Sequence, residues 1–169
     1  MVILVDESVF QILNLYPDSK ILNNSSTKYS IGLHPWHIDD TYNEKLDIIE
    51  NHLQNQEIIA IGECGLDKIC TTPFKTQLLA FEKQINLSER FNKPLIIHCV
   101  KAIDELLGLT KKINSTKIIH GFNANIILSE QLISKGFYIS IGTNIFTNFK
   151  IQELIKQIPI EYLFLESDD

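Results

Sequence analysis

The sequence has no apolar run approaching the roughly 18–20 residues that a membrane-spanning helix needs, so no membrane association of that kind is expected. Its start, MVILVDESVF, has neither a basic n-region nor a small-residue cleavage site, and no secretory signal is expected. It has no polybasic run, and its net charge of −6 opposes a wide electrostatic footprint on nucleic acid. The glycine fingerprint of a dinucleotide fold is missing, and so is a phosphate loop of the G-x-x-x-x-G-K type. Repeats, linkers and low-complexity blocks are absent as well. Cysteine is scarce and odd in number: Cys64, Cys70 and Cys99 read as free thiols in a reducing, cytoplasmic compartment. No feature asks for an obligate protein partner.

What is present describes a globular chain. A hydrophobic fraction of 44% with 21% charged residues, over 169 residues, implies one domain over 1–169 with a real core. Short apolar runs recur at Tyr29–Leu33, Ile58–Ile61, Leu95–Ile97, Ile118–Ile119, Phe137–Ile141 and Tyr162–Leu165, with an opening run at Val2–Val5. Most are continuous rather than alternating, which suits strands buried on both faces of a parallel sheet. Helical patterns fill the gaps. Asn43–Gln56 aligns Leu46, Ile49 and Leu53, and Thr72–Phe91 aligns Phe74, Leu78, Phe81 and Ile85 behind a Thr72-Pro73 start signal. Asp104–Asn114 is weakened by Gly108, Ser129–Lys135 opens with a serine cap, and Lys150–Ile158 ends at Pro159. Alternation of strand and helix predicts an α/β fold of β/α units, either an open doubly wound sheet or a barrel.

Chelating residues cluster at the predicted strand ends. His34, Glu63, His98 and His120 each follow an apolar run, and Leu165 is followed by Glu166-Ser167-Asp168. In a β/α barrel those ends converge on one face, where chemistry is done. Imidazoles and carboxylates approaching from different strands suit zinc, manganese or iron, and magnesium where carboxylates dominate. Each residue also has a bland alternative. A single strand-end histidine is commonly a hydrogen-bonded core residue, Glu63 could be a turn acid, and Asp168 could be a solvated tail. His52 reads as a surface position on its helix, and His37, after Pro35-Trp36, as a rim or substrate contact. Cys64 and Cys99 read as small buried hydrophobes.

These residues carry a resemblance. Gly32-Leu33-His34-Pro35-Trp36-His37, Gly62-Glu63-Cys64-Gly65-Leu66-Asp67, Pro94-Leu95-Ile96-Ile97-His98, His120-Gly121-Phe122, Gly136-Phe137-Tyr138-Ile139-Ser140 and Glu166-Ser167-Asp168 stand in order. Together the sequence resembles the TatD family of metal-dependent deoxyribonucleases, within the amidohydrolase-like barrels. The resemblance implies a TIM-type (β/α) barrel. It implies a divalent metal (Mg, Mn or Zn) held by Glu63, His98, His120 and Asp168. Asp168 would be the possible general base, and His34 would lie near the metals or the substrate phosphate. It further implies hydrolysis of a DNA phosphodiester, or another phosphoester, by a metal-activated water. Two departures set further expectations. No histidine precedes His34, where the family opens with H-x-H, and the chain ends at Asp169. The barrel is therefore expected to be incomplete at one or both ends, through truncation or natural reduction, with exposed edges and one metal site missing or weak. The alternatives are a catalytically impaired relative that binds metal or a partner, and a hydrolase of amides or lactones.

Overall fold

The computed structural model describes residues 11–19 and 27–167. The run Val2–Val5 and Asp168 lie outside the described residues. The elements are β1 (Ile12–Leu15), β2 (Lys28–Ile31), α1 (Tyr42–His52), β3 (Ile58–Asp67), α2 (Phe74–Phe91), β4 (Leu95–Val100), α3 (Ile103–Leu109), β5 (Lys117–Ile119), α4 (Ile126–Ser134), β6 (Phe137–Ile141), α5 (Phe149–Ile155) and β7 (Leu163–Leu165).

All pairings are parallel, and the seven strands lie side by side in chain order. A doubly wound sheet must reverse its strand order at a switch point. This one never does, so the architecture is a TIM-type barrel. It is incomplete: among the described residues the sheet has two edges, β1 and β7. Sequential order also places every C-terminal strand end on one face.

The core follows from the apolar runs. Ile58, Ala60, Ile61, Cys64 and Leu66 of β3 are buried, as are Leu95 and Ile97 of β4 and Ile139 and Ile141 of β6. Leu46, Ile49 and Leu53 form the buried stripe expected for α1 and its end. The stripe on α2 differs from the sequence expectation. Its buried residues are Gln77, Ala80, Phe81, Gln84, Ile85, Leu87 and Ser88, while Phe74 and Leu78 are half-buried. Two glutamines face the sheet because their amides bond the backbone at strand ends.

Several element starts also differ. α4 begins at Ile126 because the Asn125 carboxamide accepts from Leu128 N, so Ser129 is a buried helix residue rather than the cap. α2 begins after Pro73, since the Thr72 hydroxyl donates to Pro35 O instead of capping. α3 stops at Leu109, just beyond Gly108. β1 was not among the expected runs, being four residues with Asn14 inside it.

β3 is the largest departure, running ten residues through two glycines that ordinarily punctuate strands. Ile61 pairs with Leu95 and Cys64 with Ile97, so three steps on β3 match two on β4. That extra residue is a bulge, the device that re-aims a side chain next to a site. Gly65 lies at φ +136, and a Cβ there would sit 2.0 Å from His98 O. Gly65→Ala is therefore expected to cost about 3 kcal/mol or more, read as a lower urea midpoint at unchanged slope. Wild-type stability in that variant would contradict the close approach of β3 and β4.

Candidate metal centre

Glu63 rides on the β3 bulge, with its backbone N–H donating to Asn14 Oδ1 at 2.9 Å. Asn14 Oδ1 also accepts from Ser30 Oγ at 3.2 Å, so β1 and β2 jointly fix the bulge. The Glu63 carboxylate stands 4.0 Å from His34 Nε2 and 3.7 Å from His120 Nε2. Glu63 and His98 fall inside their strands rather than after them, because β3 and β4 run further than their apolar runs.

His120 directly follows β5, and its backbone N–H donates to Ile97 O. Its Nδ1 lies 2.9 Å from Glu166 Oε2, immediately after β7. A carboxylate on Nδ1 fixes the proton there and turns the Nε2 lone pair toward Glu63, the orientation that metal-binding histidines share. Glu166 also accepts from Gly121 N at 2.8 Å. Burial raises its carboxyl, but the bonds from His120 and Ser140 outweigh that and hold it below the usual range.

His98 is held in the same way. Its Nε2 lies 3.3 Å from Asp67 Oδ2, which also accepts from Trp36 Nε1 at 2.7 Å. Asp67 Oδ1 accepts from Ile69 N at 2.8 Å. Asp67 is 1% exposed; burial raises its carboxyl, and these donors bring it below the usual carboxylate range.

His34 behaves differently. It caps a short 3-10 turn, Pro35–His37, with Nδ1 accepting from Trp36 N at 3.2 Å. An accepting Nδ1 puts the proton of a neutral imidazole on Nε2, the nitrogen facing Glu63. Burial, reinforced by His98 and His37, pushes its pKa down to about 3, so the ring is neutral. That tautomer makes His34 a donor toward an anion rather than a lone-pair ligand. His37 is exposed at the turn's end, 5.9 Å ring-to-ring from His34. His52 is half-buried as the last residue of α1.

Cys64 is buried with Sγ 3.5 Å from Ile96 O, and burial pushes its thiol up. Cys99 is half-buried, its thiol raised to about 11 chiefly by burial. Both are poor thiolates.

The donor set fits a divalent ion in chemistry. Two donors about 2.1 Å from one ion at a tetrahedral angle stand roughly 3.4 Å apart. The Glu63–His120 separation of 3.7 Å is slightly longer. Among the described residues, no three side chains already meet in a closed metal site. Asp168, the fourth expected donor, lies outside those residues. Beside His120 opens a cavity of about 480 Å³, lined by Lys68, Lys101, Gly121 and Phe122 among others. Among the described residues no helix is long and apolar enough to cross a membrane.

The sequence assigns no separate role to Asp67 or to Glu166, although both stand inside quoted motifs and Glu166 belongs to the strand-end chelating set. Spacing signals a carboxylate near a histidine, but not which one it will meet. Asn14 carried no signal, since β1 itself went unseen.

Parallel strands in chain order, with imidazoles and carboxylates gathered at their C-terminal ends, are the architecture of the metal-dependent hydrolase barrels. The family described as TatD related DNase matches residues 9–169. An uncharacterized metal-dependent hydrolase of Buchnera aphidicola is 33% identical over 154 residues, covering 88% of this chain and 58% of that protein. The human 3'-5' RNA nuclease TATDN2 is 34% identical over 149 residues, covering 82% of this chain and 19% of its own length. The crystal structure of the TatD homologue YjjV from Escherichia coli superposes with a TM-score of 0.77 at 27% identity, covering 86% of this chain and 59% of that one. The chain belongs to the TatD family. It spans a little over half the length of the Buchnera and Escherichia coli relatives.

The Glu166–His120 pair yields a direct test. Glu166→Gln is expected to weaken manganese or zinc binding about tenfold to hundredfold while leaving the thermal transition close to wild type. Calorimetric titration with the metal measures it. Unchanged affinity would remove the orienting role of Glu166.

Proposed function

We propose that the chain is a metal-dependent hydrolase of phosphodiester bonds in nucleic acid, DNA foremost. Its divalent ion (Mg, Mn or Zn) would be held by Glu63, His98, His120 and Asp168. The observation that carries this reading is the Glu63 carboxylate set between the His34 and His120 imidazoles, at 4.0 and 3.7 Å, on the face where the strands end. The nuclease named among its relatives supports the substrate class. The reading takes residues 1–169 as one domain working in the cytoplasm.

The bound ion would polarise a phosphoryl oxygen and acidify the attacking water. The chain's own residues do the rest. His34 Nε2–H donates to a non-bridging phosphate oxygen, a task suited to a ring that stays neutral. Asp67 and Glu166 hold His98 and His120 in their tautomers. Asp168 takes the proton of the attacking water, the role that the family resemblance gives it. His37 meets substrate at the rim. The cavity beside His120 is large enough for a nucleotide, and its lining balances Lys68 and Lys101 with Asp104 and Glu105, the last paired with Lys68 at 2.6 Å.

A second reading is a relative that binds metal but turns over little. It is favoured by the geometry of the described residues, among which no three side chains already meet in a closed metal site.

Metal content of the purified protein, paired with cleavage of labelled DNA and RNA with and without chelator, separates the readings. Bound metal with chelator-sensitive cleavage is expected, and Glu63→Gln should slow that cleavage about hundredfold or more. Bound metal without cleavage selects the second reading. Absence of metal overturns both.

A further inference from the structure

The mouth of the site carries an aromatic rim that the ligand geometry does not use. Trp36 is 62% exposed, an unusual position for so large a ring. It is nevertheless fixed, because its indole N–H donates to the buried Asp67 at 2.7 Å. His34 and His98 meet it edge-on, at 5.1 Å and 88° and at 6.0 Å and 74°. Among the described residues no ring lies parallel to it. Tyr16, 48% exposed, stands edge-on to His37 at 5.0 Å. Its turn after β1 is closed by Ser19, whose N–H donates to Tyr16 O and whose hydroxyl accepts from Tyr16 N. Exposed rings thus flank the site on the β1–β2 side, while Lys68, Lys101 and the cavity lie beyond it, toward β4 and β5.

Resting on the phosphodiesterase reading, we propose that Trp36 is a stacking platform for a nucleobase of a single-stranded substrate, next to the phosphate at the metal centre. A ring already held in place loses little entropy when a base covers it. An unpaired base offers its flat face, whereas a duplex hides it. The charge balance points the same way. A chain of net charge −6 gains little from counterion release, so stacking must carry much of the affinity. Such binding tolerates any base and depends weakly on salt.

Trp36 is the single tryptophan of the chain, so its fluorescence reports on the platform directly. Titration of the metal-loaded protein with a phosphorothioate oligothymidylate should change that emission to saturation. An abasic oligomer of the same length and charge should change it little. Equal binding of the abasic oligomer overturns the proposal. Anisotropy of a dye-labelled oligothymidylate then reads the variants. Trp36→Ala should weaken binding about fivefold to hundredfold, and Trp36→Phe, which keeps a ring but loses the N–H, should stay within about threefold. Equal losses in both variants would make Trp36 a support for Asp67 and overturn the proposal. Single-strand cleavage and binding that Trp36→Ala leaves unchanged overturn the stacking role alone. Absence of any oligonucleotide binding overturns the phosphodiesterase reading with it.

Discussion

The close approach of three backbones governs this site. β2, β3 and β4 come together around Glu63 more tightly than side chains allow. A Cβ on Gly32 would lie 2.7 Å from Gly62 Cα and Glu63 O, and one on Gly65 would lie 2.0 Å from His98 O. Because those atoms are missing, β3 can bulge between Ile61 and Cys64 and still pair on both sides of the bulge. The bulge lifts Glu63 out of the strict alternation that would otherwise commit it to one face. Asn14 then fixes it by accepting the Glu63 amide proton. Glycine serves here through the absence of a side chain, so that another backbone can occupy the space.

Once Glu63 is so placed, the carboxylates divide their labour. Asp67 and Glu166 are each spent on an imidazole and on backbone donors. Those bonds offset their burial and fix ring orientation. Glu63 stands beyond hydrogen-bond reach of His34 and His120 alike. Three acids of one charge in a small volume repel each other, and burial strengthens that repulsion. Asp67 and Glu166 are stabilised by those donors, and Glu63 faces His120 Nε2 at 3.7 Å, close to the spacing of donors that share a cation. The chemistry of the donor set therefore favours a positive guest.

Much of this was legible beforehand because the apolar runs and the chelating residues lie in fixed register. The run Phe137–Ile141 is β6 residue for residue. The continuity of the runs announces a parallel sheet. Six ordered motifs point to the family more strongly than any one residue points to a role. Legibility failed where local rules met a tertiary exception. The apolar run Ile58–Ile61 stops before Gly62, yet β3 continues through Gly62 and Gly65 to Asp67. Asn14 sits in a four-residue edge strand too short for any period to register. Asp67 and Glu166 carry no mark to separate an orienting acid from a binding one, because that distinction arises only when distant strands meet.

The two glutamines of α2 reach the site from outside the sheet. Gln77 and Gln84 are seven residues apart, two turns on one helix face, and both are fully buried. Gln84 accepts from Leu33 N and donates to Leu33 O, directly before His34. Gln77 accepts from Asp67 N and donates to Asp67 O and Thr72 O. Buried amides are costly unless their hydrogen bonds are made, and here they are made to backbone that would otherwise lack partners. An apolar pair at these positions would give a greasier stripe and satisfy the helical pattern better. It would also release the backbone at the ends of β2 and β3, where His34 and Asp67 are aimed. The helix outside the sheet thus sets the angle of residues inside the site, at the expense of the apolar pattern by which a helix is recognised.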